Sequence, residues 1–357
     1  MITNLDQTIA RFIQLIPTDL LPKGKIYQGI TRLVRRGNLN WDPWILKESE
    51  AYYLFYLVGR KDAFPWWSSG KIYSAISTDM KTWKSLGIVL DPELGDTWES
   101  GRMCAGCAYK EDGIYYLFYS AAGKGDGENM NEGIGLMTSL DGLNWQRYSN
   151  KPFLKPDNNN DWYDYYENPF HFQWRDPYLF RDTKNGKYYI FVCACSKEAE
   201  SKEFRGCIGI AVAEKITGPY ELLPPAALPF VEGTKESIHR EMERPQVIYK
   251  DGKYHLFFSC WTYTLNPKWI QKVGSEKITN SSLYWYVSDK VTGSFKPVNE
   301  KPIVRGSNKT GLYGTNFIES MDQSGEFIAY GWYKKMSKLE VSPQFRVSWN
   351  NNSIEIM

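Results

Sequence analysis

The chain has 357 residues, 42% of them hydrophobic and 16% aromatic, with 43 basic and 41 acidic side chains for a net charge of +2. That length and apolar fraction suit one large core or two average ones. The near-neutral balance, with no basic run, argues against a nucleic-acid partner, and no apolar stretch approaches the roughly 20 residues of a membrane-spanning helix.

Residues 1–24 predict a short helical extension. Ile9, Phe12, Ile13 and Leu15 recur at helical spacing, and Ile16-Pro17 marks the end of that pattern. Asp6, a single Arg11 and the lack of an apolar run do not make a signal peptide. The six cysteines, Cys104, Cys107, Cys193, Cys195, Cys207 and Cys260, are irregularly spaced. They read as reduced thiols, and the expected location is cytoplasmic. Residues 25–36 are expected to supply a strand that closes a ring with the last repeat.

From residue 52 onward one short aromatic strand recurs five times. It reads Tyr52–Phe55, Tyr115–Phe118, Tyr188–Phe191, Tyr254–Phe257 and Phe327–Tyr330. Four copies follow a turn pair: Asp112-Gly113, Asn185-Gly186, Asp251-Gly252 and Ser324-Gly325. A second strand follows, such as Lys71–Ile76 or Gly133–Met137, then a turn and a closing strand, so the aromatic strand is expected to be the first of each blade. Asp79–Trp83 matches Asp141–Trp145, and Ile216–Tyr220 matches Val291–Phe295. Each unit thus holds about four strands, the size of a propeller blade. The expected fold is all-β, a single five-bladed β-propeller domain over residues 1–357. A β-sandwich accounts for many short strands but not for five copies of one motif.

Acidic motifs stand just before three of these aromatic strands. They are Trp41-Asp42-Pro43-Trp44, Trp174-Arg175-Asp176-Pro177 and Glu241-Met242-Glu243-Arg244-Pro245. Asp42, Asp176 and Glu243 read as the same position in three blades, converging on a central pocket. Glycosidic bond cleavage needs two carboxyl groups flanking the bond, and a third can hold sugar hydroxyls. Packed carboxylates raise one another's pKa, and Arg175 and Arg244 limit the repulsion. The abundant Trp and Tyr also suit stacking on a sugar ring. The lone Cys104-Ala105-Gly106-Cys107 pair and the scattered His171, His239 and His255 lack the spacing of a zinc site. Asp126, Glu128, Asp157 and Asp161 read as solvated loop acids, so no metal or cofactor is expected.

On these motifs the sequence resembles glycoside hydrolase family 68, the levansucrases and β-fructofuranosidases, within the five-bladed group that includes families 32 and 43. The resemblance runs from about residue 38 to the end. It implies that Asp42 is the nucleophile, Asp176 the transition-state stabiliser and Glu243 the general acid/base. Trp41, Arg175, Glu241, Arg244 and Tyr313 would bind substrate. The implied reaction is retaining hydrolysis or fructosyl transfer on a small carbohydrate, a β-fructofuranoside such as sucrose. Two departures stand out. The family's Trp-Ser-Gly-Ser motif is replaced by Cys104–Cys107, with Trp98-Glu99-Ser100-Gly101 expected to compensate, and Ser259–Thr264 lacks the family's arginine. Two alternatives stay open: an inverting, family-43-like furanosidase of the arabinan/xylan type, and a repurposed or non-catalytic sugar-binding propeller in a biosynthetic pathway.

Overall fold

The structure is a computed structural model that describes residues 26–28, 37–92, 97–123, 131–164, 172–278, 282–299, 302–303, 312–321, 325–335, 338–350 and 353–357. The expected N-terminal helix, Ser324, His171, Asp126 and Glu128 lie outside these. Among the described residues the chain forms five antiparallel sheets in succession. The first holds β1 (Ile26–Gln28), β2 (Asn38–Lys47), β3 (Tyr52–Arg60), β4 (Lys71–Ser77) and β5 (Thr82–Leu90), in the order β1-β5-β4-β3-β2. The second holds β6 (Arg102–Glu111), β7 (Ile114–Ala122), β8 (Glu132–Ser139) and β9 (Gln146–Arg147). The third holds β10 (Trp174–Arg181), β11 (Tyr188–Cys195), β12 (Gly206–Ala213) and β13 (Glu221–Ala227). The fourth holds β14 (Glu243–Lys250), β15 (Lys253–Cys260), β16 (Ser282–Ser288) and β17 (Lys296–Pro297). The fifth holds β18 (Leu312–Glu319), β19 (Phe327–Lys335), β20 (Lys338–Val341), β21 (Phe345–Asn350) and β22 (Ser353–Ile356).

The sheets are the blades of a five-bladed propeller. The first long strand of each blade touches its counterparts on both sides, so β2, β6, β10, β14 and β18 form a closed inner ring. Local chemistry sets the blades. Asp112 (φ 49°) and Gly113 (φ 78°) form a two-residue left-handed turn between β6 and β7, and Asp251 (φ 51°) and Gly252 (φ 82°) do the same between β14 and β15. The Asp79 carboxylate accepts from the Lys81 and Thr82 amides, both at 2.7 Å, while the Trp83 indole donates to Met80 O at 3.0 Å. Asp141 and Trp145 repeat this turn in the second blade. The core lies between blades, where aromatic and aliphatic side chains of neighbouring sheets interlock.

Two expectations are corrected. The recurring aromatic strand is the second of the inner pair in each blade, since it pairs with an inner strand, and in three blades that inner strand holds Asp42, Asp176 or Glu243. The strand at Ile26–Gln28 does not join the last blade. It extends the outer edge of the first, with Tyr27 opposite Trp83. The first and last blades meet instead through hydrogen bonds: Val341 N donates to Asn40 Oδ1 (3.3 Å), Ile45 N donates to Tyr330 Oη (3.1 Å), and Lys47 pairs with Glu319 (3.2 Å).

Candidate active site

Every inner strand breaks register at the same place. The breaks fall between Trp41 and Trp44, Cys104 and Gly106, Arg175 and Tyr178, Glu243 and Gln246, and Tyr313 and Asn316. These are β-bulges, which re-aim side chains. In four of them the residue after the break's first position is left-handed: Asp42 (φ 44°), Asp176 (φ 58°), Arg244 (φ 56°) and Gly314 (φ 57°). In three of those a proline follows, tolerated at a bulge on an inner edge. Glycine is needed in the fifth blade, because a Cβ on Gly314 would lie 2.9 Å from the Trp332 indole nitrogen.

The bulges correct the expected equivalence of the three acids. Asp42 and Asp176 share one level with Arg244. Glu243 sits one residue earlier, at the level of Trp41, Cys104, Arg175 and Tyr313. The prolines mark this register, since Pro43, Pro177 and Pro245 each follow the left-handed residue. The acids still converge. Asp42, Asp176, Glu243, Trp41, Arg175, Glu241, Arg244 and Tyr313 all line one cavity of about 250 Å³. A second cavity, of about 380 Å³, opens toward the other ends of the inner strands, and Asp176 and Arg244 border both.

Arg175 organises the charges. One of its terminal nitrogens donates to Glu241 Oε2 (2.6 Å) and to Glu243 Oε1 (3.0 Å). Its other terminal nitrogen faces both oxygens of Glu132 at 3.4 Å. The Tyr313 hydroxyl donates to the second oxygen of Glu243. Asp176 receives the Arg244 amide at 3.1 Å, while its own amide donates to Ser120 Oγ at 3.0 Å. The Arg244 guanidinium reaches Pro43 O in the first blade and Asn316 Oδ1 in the fifth.

Burial dominates the protonation of this cluster. It pushes Asp42 up to about 7, against the pull of Arg244 and with the help of Asp176 and Glu243, while the Trp332 indole favours the ionised form. Burial and the neighbouring Glu243 likewise push Glu241 up to about 7, opposed by Arg175. Asp176 is also raised by burial, with Arg175 resisting.

Several cavity residues carried no sequence signal. Glu132, at the start of β8, has only 2% of its side chain exposed. It accepts from Trp174 N (2.9 Å), Arg175 and Arg102. Arg102 lies over the Trp67 ring at 4.6 Å. Trp261, Tyr263, Trp332 and Arg240 complete the wall. Conversely, Glu99 does not reach the cavity as expected. It accepts from Tyr119 (2.8 Å) and Arg147 (2.6 Å) inside the second blade. Cys104 lines the cavity, whereas Cys107 turns away and accepts the Leu179 amide at 3.1 Å. Among the described residues no cluster of three His, Cys, Asp or Glu is placed to hold a metal ion, and no helix is long and apolar enough to cross a membrane.

Residues 37–204 match the family model of the glycosyl hydrolases family 32 N-terminal domain, and residues 194–342 match that of family 68, levansucrase/invertase. The two matches together span residues 37–342, so the chain is similar to glycoside hydrolase families 32 and 68. Curated proteins it resembles include a levansucrase of Erwinia amylovora, 29% identical over 35% of this chain and 30% of that protein. Another is levansucrase LscA of Pseudomonas savastanoi pv. glycinea, 27% identical over 44% of this chain and 43% of that protein. The match thus spans less than half the length of these curated relatives. Among solved structures, an inulosucrase from Halalkalicoccus jeotgali bound to kestose has a TM-score of 0.69 at 22% identity, covering 96% of this chain and 92% of that one. Bacillus subtilis levansucrase also has a TM-score of 0.69, at 16% identity, covering 100% and 94%. At such identities the structural likeness speaks for the shared group fold.

Proposed function

We propose that this protein is a retaining glycoside hydrolase or fructosyltransferase acting on a β-fructofuranoside such as sucrose. The observation that carries the reading is a carboxyl pair in unlike surroundings within one cavity. Glu243 is held on one oxygen by Arg175 and on the other by Tyr313, whereas Asp42 faces Arg244 and the Trp332 indole. A pair of carboxyl groups in one cavity is what cleavage of a glycosidic bond requires. Asp42, left-handed at its bulge, attacks the anomeric carbon when ionised. Glu243 donates a proton to the departing oxygen and later takes one from water or an acceptor hydroxyl. Asp176, fixed by the Arg244 amide, accepts hydrogen bonds from ring hydroxyls and stabilises the developing positive charge. Two displacements give net retention. Relatives crystallised with kestose and with sucrose support a small carbohydrate as substrate.

The test is incubation with sucrose, following glucose and fructose, with Asp42→Asn as control. Equal release that the variant abolishes supports hydrolysis, and a glucose excess supports transfer. No release by the native protein on sucrose or other β-fructofuranosides overturns the reading. Inverted product configuration by NMR would overturn the covalent step. A cytoplasmic location remains part of this proposal, and cell fractionation tests it.

A further inference from the structure

A leaving group departs on the side of the residue that protonates it. In this cavity one flank of Glu243 carries aromatic rings. The Tyr313 hydroxyl donates to Glu243. The Tyr313 ring stacks on Trp261 with centroids 3.7 Å apart and planes 10° apart. Trp261 stacks in turn with Tyr263 at 6.1 Å and 14°. The three rings climb from floor to mouth: Tyr313 is 2% exposed, Trp261 8% and Tyr263 62%. All three line the cavity.

The backbone turn that carries the outermost ring is pinned. Tyr263 occupies a short turn in which Thr264 N donates to Trp261 O (3.0 Å) and Arg240 N donates to Thr264 O (2.7 Å). The Thr264 hydroxyl also donates to Trp261 O (2.9 Å). A pre-set aromatic surface loses little conformational freedom on binding and favours a flat, weakly polar partner.

We propose that Tyr263, backed by Trp261, sets leaving-group specificity, so that the site prefers furanosides whose leaving group offers a flat apolar face. That face is an aryl ring or the C–H face of a pyranose. The inference rests on the furanoside reading above and adds to it the chemistry of the departing half.

The experiment is calorimetric titration of the Asp42→Asn protein, so that ligand is not consumed. Three β-D-fructofuranosides are compared: methyl, phenyl and glucosyl (sucrose). The expected result is that the phenyl compound, sucrose, or both bind about tenfold tighter than the methyl compound, the size of a good aromatic contact plus its burial. Adding Tyr263→Ala removes that advantage, read within each variant as the affinity ratio to methyl fructoside, while Tyr263→Phe keeps it. A gain for the phenyl compound alone identifies an aryl leaving group, and a gain for sucrose alone a pyranosyl one. Equal affinity for all three, or an advantage that survives Tyr263→Ala, overturns the proposal while the furanoside reading stands. If none of the three binds, the furanoside reading fails and this inference with it.

Discussion

The inner strands β10 and β14 have the same backbone and opposite charges. Both bulge at one level and both place a left-handed residue before a proline. In β10 the two positions are Arg175 then Asp176, and in β14 they are Glu243 then Arg244. Side by side, the reversed order sets Arg175 against Glu243 and Asp176 against the Arg244 amide. Charges therefore alternate both along and across the strands. That pattern lets several carboxylates share a buried cavity whose like-charge repulsion would otherwise protonate them. The inner strand β2 differs. Its pair is Trp41 then Asp42, with no cation of its own, and Arg244 reaches across from the fourth blade.

Substitutions break this comparison to different depths. The largest effect is expected from Asp42→Asn, which removes the nucleophile and lowers kcat by on the order of 10⁴-fold or more, read by sugar release with circular dichroism as the folding control. Glu243→Gln comes next, with kcat down by about 10²–10⁴-fold; the loss should shrink for a fructoside with a good leaving group that needs no proton. Arg244→Gln acts on pH dependence. Arg244 lowers the Asp42 pKa from a value already raised by burial to about 7. Asp42 works ionised, so removing the cation raises its pKa further. The acid limb of kcat/KM should then move to higher pH by about one unit, with Arg244→Lys moving it less.

Glu132→Gln tests whether the second blade supports the pair. Arg175 would lose its buried anchor, and kcat/KM is expected to fall about tenfold, the worth of a charge-assisted hydrogen bond of about 1.5 kcal/mol. Trp83→Ala lies far from the cavity and should leave kcat unchanged. It is 0% exposed, so the variant should lose about 3–5 kcal/mol of stability, read by denaturant unfolding.

The blades were legible because each repeats an aromatic strand and, in two of them, an Asp-to-Trp turn whose hydrogen bonds are local. The identity of the cavity residues was legible from three short acidic motifs. Their register was not. Aligning the motifs on their acids places Glu243 with Asp42 and Asp176, but a bulge shifts side chains without changing composition, and only Pro43, Pro177 and Pro245 record it. Glu132 was invisible for another reason: its partners, Arg102, Trp174 and Arg175, are 30 to 43 residues away in sequence. No local pattern announces it. The edge strand Ile26–Gln28 was placed in the wrong blade because strand propensity does not name a partner.

Among the described residues each blade is built from one continuous stretch of chain, so the ring has a seam where the fifth blade meets the first. Arg244 stands at that seam, contacting Pro43 on one side and Asn316 on the other. The side chain that tunes the nucleophile is therefore also the bolt of a clasp. Hydrogen exchange at the Ile45 and Val341 amides reads how often the clasp opens, and a sugar seated against Asp42 should slow both together.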